Sequence, residues 1–242
     1  MTALYETDLA YVHHTGFGDL ARGAAPGLLA VLKEAGIGKG SHVLDLGCGS
    51  GIWLHALARA GFETTGIDSS PALLALAHRH APRARLIDGS AHAVALPQAD
   101  AVTAVGEVLA YMPAKGKAPD LARTFRRVAR ILPEGGVFAF DLPVAGRPAM
   151  NYRSWQEGVD WALMIEVAED AGAQRLYRDI VVFRKVGKGW RRSAARHVLQ
   201  VPSRNSVVTA LREAGFRVRT AEGYGAWPLA ARRTAFLARK RG

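Results

Sequence analysis

The chain carries a single cysteine, Cys48, among 242 residues. One thiol closes no intramolecular disulfide, so stability must come from a packed core. No segment approaches the roughly 18 uncharged apolar residues of a membrane span. The first eight residues include Glu6 and Asp8 and lack the basic start and apolar run of a secretory leader. These absences together predict a cytoplasmic protein with no membrane partner. Acidic residues are also short, 21 against 32 Lys and Arg, for a net charge of +11. Such an excess can mark nucleic-acid binding, but here it consists mostly of arginines scattered through an alanine- and glycine-rich chain. A solvated surface accounts for it more simply. The histidines show no zinc-ligand spacing: His13 and His14 are adjacent, and His78 and His80 are two apart at a helix end. No metal site is expected.

What is present is an alternation of strand and helix patterns. Pro26–Ala35 reads as a helix with Pro26 in its first turn, followed by Gly36 as a C-cap. Strands are expected at 42–46, 63–67, 83–87, 101–105 and 137–140. Helices are expected at 52–60, from Ser69-Ser70-Pro71 to His80, and at 119–131. This alternation implies parallel strands with right-handed crossovers, a doubly wound α/β sheet. Three β-like runs follow, at 161–167, 175–185 and 190–201, and read as an antiparallel meander inserted into the parallel unit. A helix at 205–214 and strands at 216–221 and 234–238 close the chain. The expected divisions are residues 1–35 as an N-terminal helical cap, 36–145 as the core, 146–203 as the inserted lobe and 204–242 as the completion of the core.

The chemistry concentrates after the first strand, in Val43-Leu44-Asp45-Leu46-Gly47-Cys48-Gly49-Ser50-Gly51. Three alternate glycines let backbone approach a ligand, because glycine has no Cβ and tolerates positive φ. The spacing differs from the dinucleotide fingerprint, whose third glycine comes one residue later. Asp68 ends strand two about twenty residues on, where an acid can accept from both ribose hydroxyls. Asp88-Gly89-Ser90 ends strand three, and Leu132-Pro133-Glu134-Gly135-Gly136 precedes strand five. All these acids fall at carboxyl ends of strands, the ligand edge of an open α/β sheet.

On these motifs the chain resembles the class I S-adenosylmethionine (AdoMet) dependent methyltransferases, strongly over residues 36–141 and more loosely beyond. Residues 43–51 are similar to that family's first motif, Gly66-Ile67-Asp68 to its second, and 132–136 to the turn before strand five. The resemblance implies a Rossmann-like seven-stranded sheet with an antiparallel last strand, residues 234–238 lying beside strand five. It implies AdoMet as cofactor, with S-adenosyl-L-homocysteine as product. By the same resemblance Gly47, Cys48, Gly49 and Gly51 form the cofactor loop, and Asp45 orients it and the methionine ammonium. Asp68, with Ser69 beside it, holds the ribose. Asp88, Gly89 and Ser90 meet the adenine, and Gly106 and Glu107 border the methionine end.

The acceptor is expected to be a small molecule, methylated by in-line displacement. Candidate catalytic groups around the cofactor mouth are Glu107, His13, His14 and Tyr111. Residues Tyr11–Gly18 would fold over the cofactor, with Phe17-Gly18-Asp19 as a hinge. The lobe supplies aromatics, among them Tyr152, Trp155, Trp161, Tyr177, Phe183 and Trp190, as an acceptor wall. It also holds Arg175, Arg178, Arg184, Lys185, Lys188, Arg191, Arg192 and Arg196, which alternation would gather on one basic face, for a ligand, RNA, solvent or a homodimer contact. Alternative functions are an RNA or protein methyltransferase and a noncatalytic AdoMet-binding module. After strand four the chain reads Gly106-Glu107-Val108-Leu109-Ala110-Tyr111 rather than an Asn/Asp-Pro-Pro-Tyr motif, which disfavours an amino-group nucleic-acid enzyme.

Overall fold

The structure is a computed structural model and describes residues 5–113 and 118–242. Residues 1–4 of the expected cap lie outside the described residues. The elements are α1 (Thr7–Gly16), α2 (Asp19–Glu34), β1 (His42–Leu46), α3 (Ile52–Arg59), β2 (Glu63–Asp68), α4 (Pro71–His80), β3 (Arg85–Asp88), β4 (Ala101–Ala104), α5 (Leu121–Ile131) and β5 (Val137–Pro143). They continue with β6 (Tyr152–Glu157), β7 (Trp161–Asp170), β8 (Arg175–Val186), β9 (Gly189–Gln200), α6 (Arg204–Glu213), β10 (Phe216–Ala221), β11 (Gly223–Tyr224), β12 (Trp227–Pro228) and β13 (Arg233–Lys240).

A seven-stranded sheet runs in the order β10-β13-β5-β4-β1-β2-β3. Strands β1 to β5 pair in parallel, and β13 lies antiparallel between β5 and β10. The expected doubly wound sheet with an antiparallel closing strand is therefore present. Its central strands are buried along nearly their whole length, as strands covered by helices on both faces must be. One face packs Phe125, Phe138, Phe140, Phe216 and Phe236, with Phe138 and Phe140 stacked at 4.5 Å between ring centres. The other face packs Leu28, Leu32, Trp53 and Leu57 from α2 and α3. Each such buried side chain contributes on the order of 1.5–3 kcal/mol of apolar transfer.

Three expectations need correction. The first long helix begins at Asp19, so Pro26 lies inside it rather than in its first turn. Pro26 is exposed, so the bond it cannot donate is missing on the solvent side. The apolar face Ala24, Ala25, Leu28 and Leu32 runs past it against the sheet. Strand five extends to Pro143, which makes Asp141 an interior strand residue. The inserted sheet has four strands, in the order β6-β7-β8-β9, rather than three. Strand β6 is exposed at every position and so shows no inside–outside alternation for a sequence reading to detect.

Helix α1 lies between the two sheets. Leu9 and Val12 pack with Trp161, Leu163, Ile180 and Val182 of the inserted sheet. Asp8, 5% exposed, receives Arg191 at 2.5 and 2.6 Å and Arg184 at 3.3 Å. Tyr11 donates to Asp160 at 2.7 Å, and the Arg184 guanidinium sits 3.7 Å from the centre of its ring. The other side of α1 faces α4 and the loop after β1. Among the described residues no helix is long and apolar enough to cross a membrane.

Candidate active site

Strand register builds the first half of the site. Asp68 of β2 and Asp88 of β3 are direct neighbours across the parallel pair. Asp68 Oδ2 accepts the Gly49 amide at 2.8 Å, and Oδ1 accepts the Ser70 amide at 2.9 Å. The Gly89 amide donates to the Asp68 carbonyl at 2.9 Å, tying the ends of β2 and β3 together. Burial pushes the Asp68 carboxyl above the usual carboxylate range, against the amides that favour its ionised form. Asp88, Ser69 and Ser90 are exposed at the same edge.

The glycine loop has the shape of a cradle. Gly49 sits at φ +55, and a Cβ added there would meet only His13 Cε1, 3.9 Å away. A side chain would therefore project into open space beside Asp68. Gly47, at φ +66, also needs close approach, because a Cβ would run into a methyl of Val108. The Cys48 amide bonds to the Ile67 carbonyl, and Cys48 is buried with Leu54 and Ala81. Cys48 thus anchors the loop from beneath; its side chain does not face the cradle. Burial raises its thiol well above the ordinary value, so it is a poor nucleophile. Gly51, at φ +79, precedes the first turn of α3.

Asp45 lies below the loop, 3% exposed. Its Oδ1 accepts from the Thr103 hydroxyl at 2.7 Å, and that hydroxyl accepts from Trp53 Nε1 at 3.0 Å. Burial raises the Asp45 pKa to about 7, against the Thr103 bond, with the Asp68 charge adding to the rise.

The second half of the site is a polar cluster joining α1, the segment after β4 and the inserted sheet. Arg178 of β8 donates to Glu107 Oε2 at 3.1 Å and to the Tyr111 hydroxyl at 3.4 Å. The Tyr111 and Tyr5 hydroxyls are 3.0 Å apart. The Tyr5 ring lies 5.0 Å from the rings of both His13 and His197, and Tyr111 lies 5.4 Å from His197. Burial alone would raise the Glu107 pKa, but Arg233 and Arg178 hold it below its ordinary value. Burial lowers the His13 pKa to about 4, with His14 and His197 adding to the fall, so His13 is neutral near pH 7. Its Nδ1 is buried with no hydrogen-bond partner among the described residues.

Glu107, Tyr111 and His13 are therefore brought together, while His14 is not. One step further around α1, His14 Nδ1 bonds to Ser50 Oγ at 2.8 Å and its ring contacts His80. The expected single basic face is divided between the two faces of the sheet. Arg178, Arg184 and Arg191 share one face, turned toward Glu107 and Asp8, and Arg196 pairs with Asp179 on the other. The aromatic wall is split as well. Trp161 is buried against α1, whereas Tyr152, Trp155 and Trp190 are more than half exposed. Sequence reasoning missed Tyr5, His197, Asp141 and Arg233, and saw Arg178 only as one base among many. Among the described residues no group of three or more His, Cys, Asp or Glu side chains gathers as a metal site.

The sheet order and the glycine turn above β1 define a Rossmann-like methyltransferase fold. Residues 43–136 match the methyltransferase domain family. A ubiquinone biosynthesis O-methyltransferase of Coxiella burnetii is 33% identical over 103 residues, 42% of this chain and 43% of that protein. Its counterpart from Sodalis glossinidius is 32% identical over 110 residues, 46% and 44% of the two chains. The match spans less than half the length of these curated relatives. Over nearly the full chain the fold resembles Streptomyces venezuelae DesVI, with TM-score 0.80, 21% identity and coverage of 98% and 100%. It also resembles the sugar N-methyltransferase KedS8 of a Streptoalloteichus species, with TM-score 0.77, 21% identity and coverage of 100% and 96%. Residues 43–136 are thus similar to a methyltransferase domain, and the chain as a whole has the fold of AdoMet-dependent methyltransferases.

Proposed function

We propose that the protein binds AdoMet at the carboxyl edge of its large sheet and transfers the methyl group to a small-molecule acceptor. The observation that carries this reading is the alignment of Asp68 with Asp88 beside an open glycine cradle. In this reading Asp68 accepts from the ribose hydroxyls and Asp88, with the Ser90 amide, meets the adenine. Gly47, Gly49, Gly51, Gly106 and Glu107 line the methionine side. AdoMet supplies a methyl group on a sulfonium, an electrophile that needs no activation by the protein.

The chain's own task is to orient the acceptor and exclude water. Helix α1 covers the glycine loop, which supports a lid role for α1, whereas α2 packs into the core against the large sheet. The inner surface of the lobe 146–203, with Arg178 and His197, is the proposed acceptor side. Neutral His13, with a buried unpartnered Nδ1, is proposed to orient the acceptor through a hydrogen bond; a pKa of about 4 makes it too weak a base to hold the acceptor's proton near pH 7. Glu107 is held ionised by Arg233 and Arg178 and serves to fix the wall of the site.

A small molecule is favoured because the cluster between the two sheets is closed by α1, and because relatives named for ubiquinone and for sugars act on small molecules. The deciding experiment is calorimetry with AdoMet, followed by a radiolabelled-methyl screen against metabolite extract and RNA. Heat of binding with label in the small-molecule fraction is expected. Label only in RNA would favour an RNA methyltransferase, and binding without transfer a noncatalytic module. No heat of binding would overturn the reading.

A further inference from the structure

Asp141 lies in the interior of β5 with no exposed surface, yet it serves the loop above β4. One oxygen accepts the Gly106 amide at 3.0 Å and the Tyr224 hydroxyl at 2.9 Å. The other accepts the Glu107 amide at 2.9 Å and Arg233 Nε at 2.5 Å. Four donors thus converge on one carboxylate from β11, β13 and the loop. The loop needs such a clamp. Glu107 is not glycine but sits at φ 62, a conformation that costs on the order of 1 kcal/mol unless its surroundings enforce it.

We infer that Asp141 is a positioning residue that holds the Glu107 backbone and the Arg233 guanidinium at the reacting side of the site. The inference rests on the proposed AdoMet site. Two further observations carry it. The charges alternate from the sheet interior to the lobe: Asp141, Arg233, Glu107, Arg178, with Glu107 lowered in pKa by both arginines. In addition, Arg233 Nη2 is buried with no hydrogen-bond partner among the described residues. A guanidinium gripped through Nε, with a terminal donor left over, has a capacity that the fold does not consume. An oxygen of the bound ligands is the partner that capacity fits.

The test compares Asp141→Asn with wild type and with Asp120→Asn, which removes a carboxylate capping α5 away from the site. Thermal unfolding, calorimetric AdoMet affinity and single-turnover methyl transfer are measured on all three. For D141N the expected result is a cooperative unfolding transition, a tenfold or greater loss in AdoMet affinity or transfer rate, and neither loss in D120N. A D141N protein that folds and matches wild type within twofold in both would overturn the inference alone. A wild type that binds no AdoMet would remove the functional reading as well. Should D141N fail to fold, Arg233→Lys carries the test, because it keeps a positive charge beside Asp141 but removes the orphan donor. A tenfold loss in transfer at near-wild-type melting temperature supports the inference, and transfer within twofold of wild type overturns it.

Discussion

Asp68 Oδ2 accepts the Gly49 amide at 2.8 Å, although the two residues are nineteen apart in sequence. The acid at the end of β2 therefore also shapes the loop at the end of β1. Asp68→Ala should weaken AdoMet binding by about 100-fold, as expected for losing hydrogen bonds to a charged acceptor worth about 3 kcal/mol. The fold should survive, since the Cys48 amide still bonds to the Ile67 carbonyl. Calorimetry with circular dichroism checks both points, and unchanged affinity would overturn the assigned cofactor geometry.

Asp45 should titrate near pH 7 in the ligand-free protein. An unfolded aspartate titrates near 4, so the folded state holds a proton that the unfolded state has released. That proton favours folding at acid pH, and the contribution is lost as pH rises through 7. Between pH 5 and 7 wild type should lose stability relative to Asp45→Asn, by up to about 1.4 kcal/mol per pH unit, and the loss should level off above the folded pKa. Urea midpoints at the two pH values measure it. Parallel curves for the two proteins would show that the carboxyl is not raised.

Thr103 joins two buried polar groups by accepting from Trp53 and donating to Asp45. Thr103→Val keeps the volume but orphans both partners, at a cost of about 2–3 kcal/mol. The unfolding midpoint should fall accordingly. A change under 0.5 kcal/mol, about the ordinary size for a surface substitution, would mean that water satisfies the pair.

Docking of α1 rests on Asp8 as well as on its apolar face. Arg191 is half exposed, so solvent discounts that half of the interaction. Asp8→Ala should destabilise the protein and hasten proteolytic cleavage within residues 7–16, while β1 to β5 stay protected. Removing residues 1–18 should weaken AdoMet binding or turnover. Equal cleavage rates, or full affinity in the truncated protein, would separate α1 from the site.

The acids at the carboxyl edge of the sheet were legible because their position is local. A strand that ends in Asp, followed by a helix start, puts that acid at the carboxyl edge whatever the rest of the fold does. Asp141 was hidden for the opposite reason. It sits inside a strand, and its partners Tyr224 and Arg233 lie 83 and 92 residues away. Arg178 looked like any other base of the lobe, since only the facing of β8 toward Glu107 distinguishes it from Arg196, which points outward to Asp179. Strand β6 offered no periodicity, and Pro26 suggested a helix start where an exposed proline is tolerated inside the helix.

The strand–helix alternation, the glycine turn and the acids at strand ends follow from short stretches of chain. Right-handed crossovers then leave little choice in how the parallel sheet is wound. The polar cluster proposed as the acceptor side has no such local origin. Tyr5, Glu107, Arg178 and His197 come from α1's leading end, one loop and two strands of a second sheet. They meet because Leu9 and Val12 of α1 bury themselves against that sheet. Packing between layers selects which side chains face each other, and no periodicity within a single segment encodes it.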